Sequence, residues 1–291
     1  MPSPTATTSR ASSSARCGSK TTSASPATLR PDELHSAFNF DFLTCAWDPT
    51  ELRRCIESTL DTHAPVGAPA SWVLSNHDVT RVVTRYGRSD TSFSFAAKRM
   101  GTPTDVVLGR RRARAAALLA MALPGTCYVY QGEELGLPEV EDIPVGRIQD
   151  PMHFQSGGVD PGRDGCRVPL PWSGSTAPYG FSPEHATAAP WLPQPDDWAG
   201  ITAAAQVDDD GSMLALYRRA IRLRRRHLGG ATFAWSPSDP AVLAFERGDV
   251  GCIVNLSAAP VAPPWPGDVL VASAELVAGR LPPDAAAWIR T

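Results

Sequence analysis

The sequence predicts an α/β fold in which parallel strand–helix units are followed by a small antiparallel β-domain. Between residues 30 and 230, short apolar runs alternate with segments whose apolar residues recur at helical spacing. This alternation favours parallel strands, because each crossover helix returns the chain to start the next strand in the same direction. From residue 231 the apolar runs are short and separated by turn residues, which is typical of an antiparallel domain. We therefore divide the chain into residues 1–29, 30–230 and 231–291.

Composition places the chain among globular proteins and excludes two classes of partner. Of its 291 residues, 43% are apolar and 20% are charged, which is enough apolar material for a core. No apolar run approaches the roughly 18–20 residues that a membrane span requires. The net charge of −3 lacks the basic excess of a nucleic-acid-binding protein. We expect neither a membrane nor a nucleic acid as partner.

The cysteines indicate neither a disulfide framework nor a metal site. They lie at positions 17, 45, 55, 127, 166 and 252, without a CxxC pair or a zinc-like cluster with histidine. Six cysteines are too sparse for a disulfide scaffold in a chain of this length. We interpret them as buried free thiols in a reducing compartment, which favours the cytoplasm. We predict no cofactor and no metal.

Two elements are predicted at the start of the second segment. Phe38, Phe40 and Phe42 alternate with polar residues, and a period of two predicts a strand. Residues 48–60 predict a helix, because a capping signature precedes apolar residues at helical spacing. The helix-forming residues are Asp48 (N-cap), Pro49, Glu51, Leu52, Cys55, Ile56 and Leu60.

The strand–helix alternation then continues to residue 228. Trp72–Leu74 and Cys127–Tyr130 read as buried strands, and Gly109–Leu123 and Met213–Leu228 as helices. A long stretch rich in Pro, Gly and Asp separates them from about residue 137 to 210. We interpret the arginine-rich parts of the two helices, 110–114 and 218–226, as solvated faces. The strands predicted for the last domain are Val242–Phe245, Gly251–Asn255, Val269–Ala272 and Ala287–Arg290.

A polar cluster follows the strand at 72–74. It reads Ser75-Asn76-His77-Asp78. An imidazole beside a carboxylate can bind substrate hydroxyls and hold negative charge near a developing cation. The alternative is a loop N-cap with a satisfied histidine. A metal site is less favoured, because no third ligand lies at suitable spacing.

Three motifs in this order carry a resemblance to a known family. They are residues 72–78, the stretch Gly125–Gly136, and Arg163-Asp164-Gly165-Cys166-Arg167 continuing to Trp172. Together they resemble the α-glucosidase branch, of oligo-1,6-glucosidase type, of the α-amylase family of retaining glycoside hydrolases. The resemblance extends from about residue 30 to 291. It implies the C-terminal part of a (β/α)8 TIM barrel, about the last three strands and helices, followed by a β-domain.

The resemblance also implies roles for individual residues. Asp78 matches the third catalytic carboxylate, which stabilises the transition state, and His77 matches a histidine on the same glucosyl ring. Arg163 and Asp164 match a pair that holds the non-reducing glucose in a pocket. The substrate-binding set that we expect is Asn76, His77, Arg163, Asp164 and Arg167. Residues 131–134 are expected to shape the barrel rim rather than to perform catalysis.

Two catalytic motifs of the family are missing. Retaining hydrolysis needs a nucleophile and an acid/base carboxyl group about 5–5.5 Å apart. In the family these follow the fourth and fifth barrel strands, in Gly-Phe-Arg-x-Asp-type and Gly-Glu-x-Trp-type motifs, and neither occurs here. The strand before Asp78 matches the seventh, so the resemblance implies a start near the sixth. Without a nucleophile the covalent step is lost, and we predict an inactive chain.

Residues 1–29 differ in character from the rest. They contain 14 Ser or Thr and no acidic residue, which predicts disorder. With suitable codons, residues 19–28 read in another frame give Glu-Asp-Asp-Glu-Arg-Phe-Ala-Arg-Tyr, which resembles the family at this place. Residues 11–18 can likewise be written to contain the acid/base motif. An out-of-frame segment is therefore our leading hypothesis, with a disordered tail or a transit peptide as alternatives.

The sequence thus predicts a partial retaining α-glucosidase. Its parent reaction would release terminal α-linked glucose from oligosaccharides of maltose or isomaltose type. One alternative is a non-catalytic sugar-binding or interaction remnant. Another is a transglycosylase of the same family, trehalose-forming or sucrose-acting.

Overall fold

The structure is a computed structural model that describes residues 37–95 and 98–291. Its helices are α1 (Phe40–Thr44), α2 (Pro49–His63), α3 (Val82–Tyr86), α4 (Val106–Ala122), α5 (Pro151–Gln155), α6 (Ala203–Gln206) and α7 (Met213–His227). Its strands are β1 (Ser71–Val73), β2 (Thr126–Tyr128), β3 (Phe233–Trp235), β4 (Val242–Arg247), β5 (Val250–Asn255), β6 (Val269–Ala272) and β7 (Ala285–Arg290). The interpretation of residues 1–29 lies outside the described residues.

The strands β1 and β2 confirm the predicted parallel pairing. Trp72 lies opposite Cys127 in the register, and the helices α3 and α4 connect the two strands. Each strand has three residues, so both end earlier than the sequence suggested. Because parallel strands end at the same edge, residues 75–78 lie beside the segment that follows β2.

The helix α2 forms as predicted. The Asp48 carboxylate accepts hydrogen bonds from the backbone N–H groups of Thr50 and Glu51, both at 2.9 Å. Pro49 occupies the first turn, where a missing N–H group has no consequence. The buried face consists of Leu52, Cys55, Ile56 and Thr59.

The predicted strand through Phe40 and Phe42 is wrong, because residues 40–44 form the short helix α1. Asn39 caps this helix: its Oδ1 accepts from the Phe42 N–H at 3.0 Å, while its Nδ2 donates to Thr59 Oγ1 at 2.9 Å. The helical turn buries Phe42 against Trp72, with 5.1 Å between the ring centroids. An asparagine cap followed by an acidic first turn outweighed a short aromatic alternation.

The helices α4 and α7 are both present, with small shifts at their ends. α4 begins at Val106, three residues before the predicted start, because the Asp105 carboxylate accepts from the Leu108 N–H at 2.9 Å. Gly109 lies against α3, where a Cβ would clash with the Val83 carbonyl. α7 begins at the predicted Met213 and ends at His227. Its arginines Arg218, Arg219, Arg222, Arg225 and Arg226 are exposed, as predicted, but Arg224 is half-buried and donates to the Leu123 carbonyl at 2.9 Å. In α4 the prediction of a solvated face is wrong except for Arg111, because Arg110, Arg112 and Arg114 are half-buried and donate to Gly136, Asp284 and Ser273.

The last five strands form one antiparallel sheet in the order β3-β4-β5-β7-β6. All four predicted strands are present, and the sequence missed only the three-residue β3. Trp288 of β7 is fully buried, and its Nε1 donates to the Leu118 carbonyl of α4 at 3.1 Å. The sheet therefore packs directly on α4, and both contribute to the main hydrophobic core.

The stretch from residue 137 to 210 is mostly loop but has a core of its own. Its apolar cluster consists of Leu135, Leu137, Val140, Val168, Tyr179, Leu192 and Trp198. The five cysteines of the described ranges are free thiols, and all but the half-buried Cys127 are buried, as predicted. Within the same ranges, no helix has the length and apolar character needed to cross a membrane.

Candidate active site

The turn after β1 fixes the backbone of Asp78. The Asn76 Oδ1 accepts from the Asp78 N–H at 2.8 Å, and the Ser75 Oγ accepts from the Val82 N–H at 3.0 Å. Asn76 is only 1% exposed, and its Nδ2 has no hydrogen-bond partner among the described residues. By contrast, 27% of the Asp78 side chain is exposed. The buried turn therefore presents a carboxylate to solvent.

Cationic groups surround the Asp78 carboxylate. Its Oδ1 accepts from Arg163 Nη1 at 2.8 Å and from Arg167 Nη2 at 3.3 Å. The His77 Nε2 lies 3.5 Å from Asp78 Oδ2, and the His77 carbonyl accepts from Arg167 Nε at 2.8 Å. Two guanidinium groups thus face one carboxylate, so the structure brings together these four residues predicted from the sequence.

A second carboxylate, Asp150, orients Arg163. Its Oδ2 accepts from the Arg163 backbone N–H and Nε, both at 2.7 Å, and its Oδ1 accepts from Nη2 at 3.1 Å. These bonds hold the pKa of Asp150 well below its usual range and raise that of Arg163. The Asp150 side chain is fully buried. It therefore orients Arg163 from a fully buried position.

Sequence reasoning missed Asp150. Its visible signal is that of a helix cap, since Pro151 follows it and its Oδ1 accepts from the Met152 N–H at 3.1 Å at the start of α5. The same carboxylate caps the helix and holds an arginine 13 residues further along the chain. A local pattern reveals the first role, but the second depends on how the loop folds back.

Asp164 supports the loop from a buried position. It is 4% exposed, and its Oδ2 accepts from the Asp150 N–H at 2.9 Å and from the Gln149 N–H at 2.5 Å. It also borders the cleft described next. The structure therefore gives Asp164 a bracing contact that the sequence did not predict, beside its predicted place at the site.

An open cleft of about 620 Å³ extends from this charged cluster. Its polar lining residues are Arg167, Asp164, Asp150, Gln131 and Gln149, and its other lining residues are Pro151, Val168, Pro169, Leu170, Trp172, Phe181, Trp191 and Leu192. Three aromatic rings on these walls are substantially exposed: Trp172 at 50%, Phe181 at 48% and Trp191 at 81%. A cleft lined by both hydrogen-bonding groups and aromatic side chains suits a molecule with both hydroxyl groups and C–H faces.

Two further carboxyl groups lie behind the site. Burial raises the pKa of Glu133 to about 8 and that of Glu139 to about 7. Glu133 accepts from the Tyr217 hydroxyl at 3.2 Å, and Glu139 accepts from the Arg81 N–H at 2.8 Å. Neither lines the cleft, so their raised pKa values reflect their structural surroundings. No cluster of His, Cys, Asp and Glu suitable for a metal occurs in the described part of the chain.

Two family models match the sequence. The model for the α-amylase catalytic domain matches residues 28–229, and a domain of unknown function, DUF3459, matches residues 215–288. The chain is 34% identical over 234 residues to a probable α-glucosidase of Rhizobium meliloti (strain 1021), covering 78% of this chain and 38% of that protein. It is 30% identical over 200 residues to maltase A1 of Drosophila melanogaster, covering 66% of this chain and 29% of that protein. The chain thus spans less than two fifths of the length of these curated relatives.

Solved structures of similar fold cover most of the chain. An α-glucosyl transfer enzyme, XgtA, superposes with a TM-score of 0.67 and 28% identity over 91% of this chain and 48% of that one. A trehalulose synthase, MutB, gives a TM-score of 0.68 and 23% identity over 91% of this chain and 53% of that one. The match shows the fold of a barrel enzyme with an appended antiparallel sheet.

Proposed function

The chain belongs to the α-amylase family of glycoside hydrolases, and on that premise we propose that the cluster around Asp78 is its α-glucoside-binding site. Asp78 is the carboxylate that accepts sugar hydroxyls and faces positive charge developing at the anomeric carbon. His77 and Arg167 bind hydroxyls beside it, and Asn76 holds the turn. The observation that carries the proposal is the partly exposed Asp78 between two guanidinium groups, one of which, Arg167, also lines the cleft with exposed aromatic walls.

We assign Arg163 and Asp164 to the part of this site that recognises the terminal glucose. Arg163 is anchored to Asp150 and still reaches Asp78, so its guanidinium is held rigidly without a ligand. A preorganised cation of this kind binds a terminal sugar with little further loss of side-chain entropy. This supports recognition of the non-reducing glucose of an oligosaccharide of maltose or isomaltose type.

We place β1 and β2 among the last strands of a (β/α)8 barrel. Their parallel pairing, their connection through α3 and α4, and a site at their carboxyl ends all support that placement. Residues 30–230 then form the barrel part and residues 231–291 the β-domain. The free buried thiols support a reducing, cytoplasmic location.

The parent reaction that we propose is retaining hydrolysis of terminal α-linked glucose, and we expect this chain to bind without turnover. The mechanism needs an accessible nucleophile and a proton donor. Asp150 is fully buried, and its lowered pKa keeps it ionised at neutral pH, so it supplies neither. Glu133 carries a proton up to about pH 8 but faces Tyr217 behind the cleft.

A second candidate is transfer of glucose to another sugar. It is favoured by the exposed aromatic residues Trp172, Phe181 and Trp191 in the cleft, which offer apolar surface for an acceptor sugar. XgtA, an α-glucosyl transfer enzyme, and MutB, a trehalulose synthase, have the same fold. The two reactions share the glucose-binding end and differ in the acceptor.

The test compares the maltose affinity of the wild-type chain with that of Asp78→Asn, measured by isothermal titration calorimetry. We expect the wild-type chain to bind maltose and Asp78→Asn to bind about tenfold or more weakly, because a charge-assisted acceptor is lost. Asp249→Asn is the matched control, since Asp249 also lies beside a histidine, His227 at 3.3 Å, but makes no ion pair with Arg163 or Arg167. Equal affinity in all three proteins, or no binding by wild type, would refute the site.

Turnover is measured in parallel with an aryl α-glucoside. We expect no release of glucose above the uncatalysed rate. Release that disappears in Asp78→Asn would show instead that the chain retains activity. Formation of a new disaccharide in the presence of an acceptor sugar would identify the transfer reaction.

A further inference from the structure

Arg81 lies three residues after Asp78 and connects two other segments of the site. It is 1% exposed. Its Nη1 donates to the Gln131 carbonyl and its Nη2 to the Cys166 carbonyl, both at 2.8 Å. Gln131 follows β2, and Cys166 lies in the single helical turn between Arg163 and Arg167. One guanidinium therefore links the Asp78 turn, the segment after β2 and the loop that supplies the two arginines.

The Cys166 carbonyl has a second donor. The Tyr130 hydroxyl donates to it at 3.0 Å, and the Tyr130 ring centroid lies 5.4 Å from the Arg81 guanidinium carbon. Tyr130 is buried. Two side chains thus hold this one carbonyl, which belongs to the residue directly before Arg167 in the loop that carries both arginines.

The surroundings of Arg81 are built to fix its place. Its backbone N–H donates to Glu139 Oε2 at 2.8 Å, and the Glu139 N–H donates to Thr84 Oγ1 at 2.7 Å. Gly132 has a φ of +88°, and a Cβ there would lie 2.6 Å from Arg81 Nη1. A glycine is therefore required both by the backbone conformation and by the space that the guanidinium fills.

We propose that Arg81 is a positioning residue that sets Arg163 and Arg167 against Asp78, with Tyr130 as its partner on the Cys166 carbonyl. This inference rests on the proposed sugar-binding site. The fork of an arginine reaches two carbonyls at once, whereas a lysine ammonium at the end of a flexible stem cannot hold both in fixed geometry. A site whose two arginines share one short loop depends on how that loop is held, since misplacement by about 1 Å costs on the order of 100-fold in function.

The test compares Arg81→Lys and Tyr130→Phe with the wild-type chain. Arg81→Lys keeps a buried cation and removes the two-carbonyl link, and Tyr130→Phe removes a single hydroxyl. Arg247→Lys is the matched control, because Arg247 is 4% exposed and donates to four carbonyls distant from the cleft: Ala122, Leu123, Leu228 and Ala231. The Arg247→Lys variant shows how a general loss of stability alone affects hydrogen exchange and maltose affinity.

The first measurement is amide hydrogen exchange of residues 163–167, which needs no ligand. In wild type the Cys166 and Arg167 N–H groups are bonded within this turn. We expect exchange there to rise about tenfold or more in Arg81→Lys and less in Tyr130→Phe, since bonds from charged donors contribute more. After correction for global stability, we expect residues 163–167 of Arg247→Lys to exchange at the same rate as in the wild-type chain. The inference is overturned if amide exchange of residues 163–167 is unchanged in Arg81→Lys, or if it rises equally in Arg247→Lys.

The second measurement is maltose affinity. We expect Arg81→Lys to bind about tenfold more weakly and Tyr130→Phe to be intermediate, with Arg247→Lys unchanged, because lost loop order adds to the entropic cost of binding. If wild type does not bind maltose, the proposed function fails, and the exchange data alone decide whether Arg81 positions the loop. If wild type binds and Arg81→Lys binds equally well, the positioning role is wrong while the site stands.

Discussion

The anchoring of Arg163 by Asp150 predicts that Asp150→Asn will both destabilise the chain and weaken the site. The substitution preserves the size of the side chain but removes its charge and one of its acceptor oxygens. Arg163 then loses the counter-ion that accepts hydrogen bonds from its backbone N–H, its Nε and its Nη2. It is left facing Asp78 alone at 2.8 Å.

The magnitude follows from those contacts. Hydrogen bonds to charged groups contribute about 1.5–3 kcal/mol each, but these share one partner and do not add. Since 27% of the Arg163 side chain is exposed, water will solvate part of the freed guanidinium. We expect the free energy of unfolding to fall by about 2–3 kcal/mol, between a surface pair and a fully buried one. For a chain of this size, that lowers Tm by about 3–5 °C.

The pH dependence of this difference has a defined sign. The pKa of Asp150 is lowered by folding, so its contribution is present above the ordinary aspartate pKa of about 3.9 and is lost as the pH falls through the folded value. The stability difference between wild type and Asp150→Asn should therefore be constant from pH 5 to 8 and shrink below about pH 4. Urea unfolding at several pH values measures it.

Asp160→Asn is the control in the same loop. Asp160 accepts from Lys98 Nζ at 2.6 Å and does not contact Arg163. We expect a loss of about 1 kcal/mol or less and unchanged maltose binding, because this pair is partly exposed. The reasoning fails if Asp150→Asn is as stable as wild type at pH 7, or if both variants lose sugar affinity equally.

Three further substitutions test the surrounding structure. Glu133→Gln should be more stable than wild type at pH 8 by on the order of 2 kcal/mol, and this advantage should disappear towards pH 5. The reason is that the wild-type Glu133 has a folded pKa raised to about 8, so the wild-type chain loses stability as the pH rises. Urea unfolding at pH 5, 6.5 and 8 checks this. Arg247→Met should lower the free energy of unfolding by about 2–3 kcal/mol, since it leaves buried carbonyls without a donor; chemical denaturation measures it, and a neutral result would contradict the assignment. Gly109→Ala should lower Tm despite a gain of about 1 kcal/mol in helix propensity, because its Cβ would clash with the Val83 carbonyl. The control Gly146→Ala, with no atom within 4 Å of its Cβ, should leave Tm unchanged.

The elements that the sequence predicted well are those with strong local signals. Asp48-Pro49 marks the start of α2, and the apolar periodicity marks α4 and α7. The β1 strand was visible because three consecutive buried residues precede a polar cluster. The prediction of a strand at Phe38–Phe42 was wrong because five residues are too few to distinguish the two-residue period of a strand from the 3.6-residue period of a helix. The Asn39 cap stabilises the helix there.

The site divides in the same way. The residues carried by motifs, His77, Asp78, Arg163 and Arg167, come together at hydrogen-bonding distances. Asp150 and the other supporting groups were missed because their partners are backbone atoms or residues far along the chain. A sequence motif identifies side chains that face a ligand, but the contacts that hold those side chains in place depend on the loop path.

Three buried arginines join separate segments of the chain by donating hydrogen bonds to backbone carbonyl groups. Arg81, Arg85 and Arg247 are each at most 4% exposed and donate to between two and four backbone carbonyl oxygens. The β1–β2 sheet has only three residues per strand, so it cannot fix the loops beyond its ends. A guanidinium supplies several donors in rigid geometry, and its charge is kept at any physiological pH. At the proposed sugar-binding site this role falls to Arg81, which links the segment after β2 to the loop of Arg163 and Arg167, so exchanging Arg81 for lysine should disturb the geometry even though the net charge is unchanged.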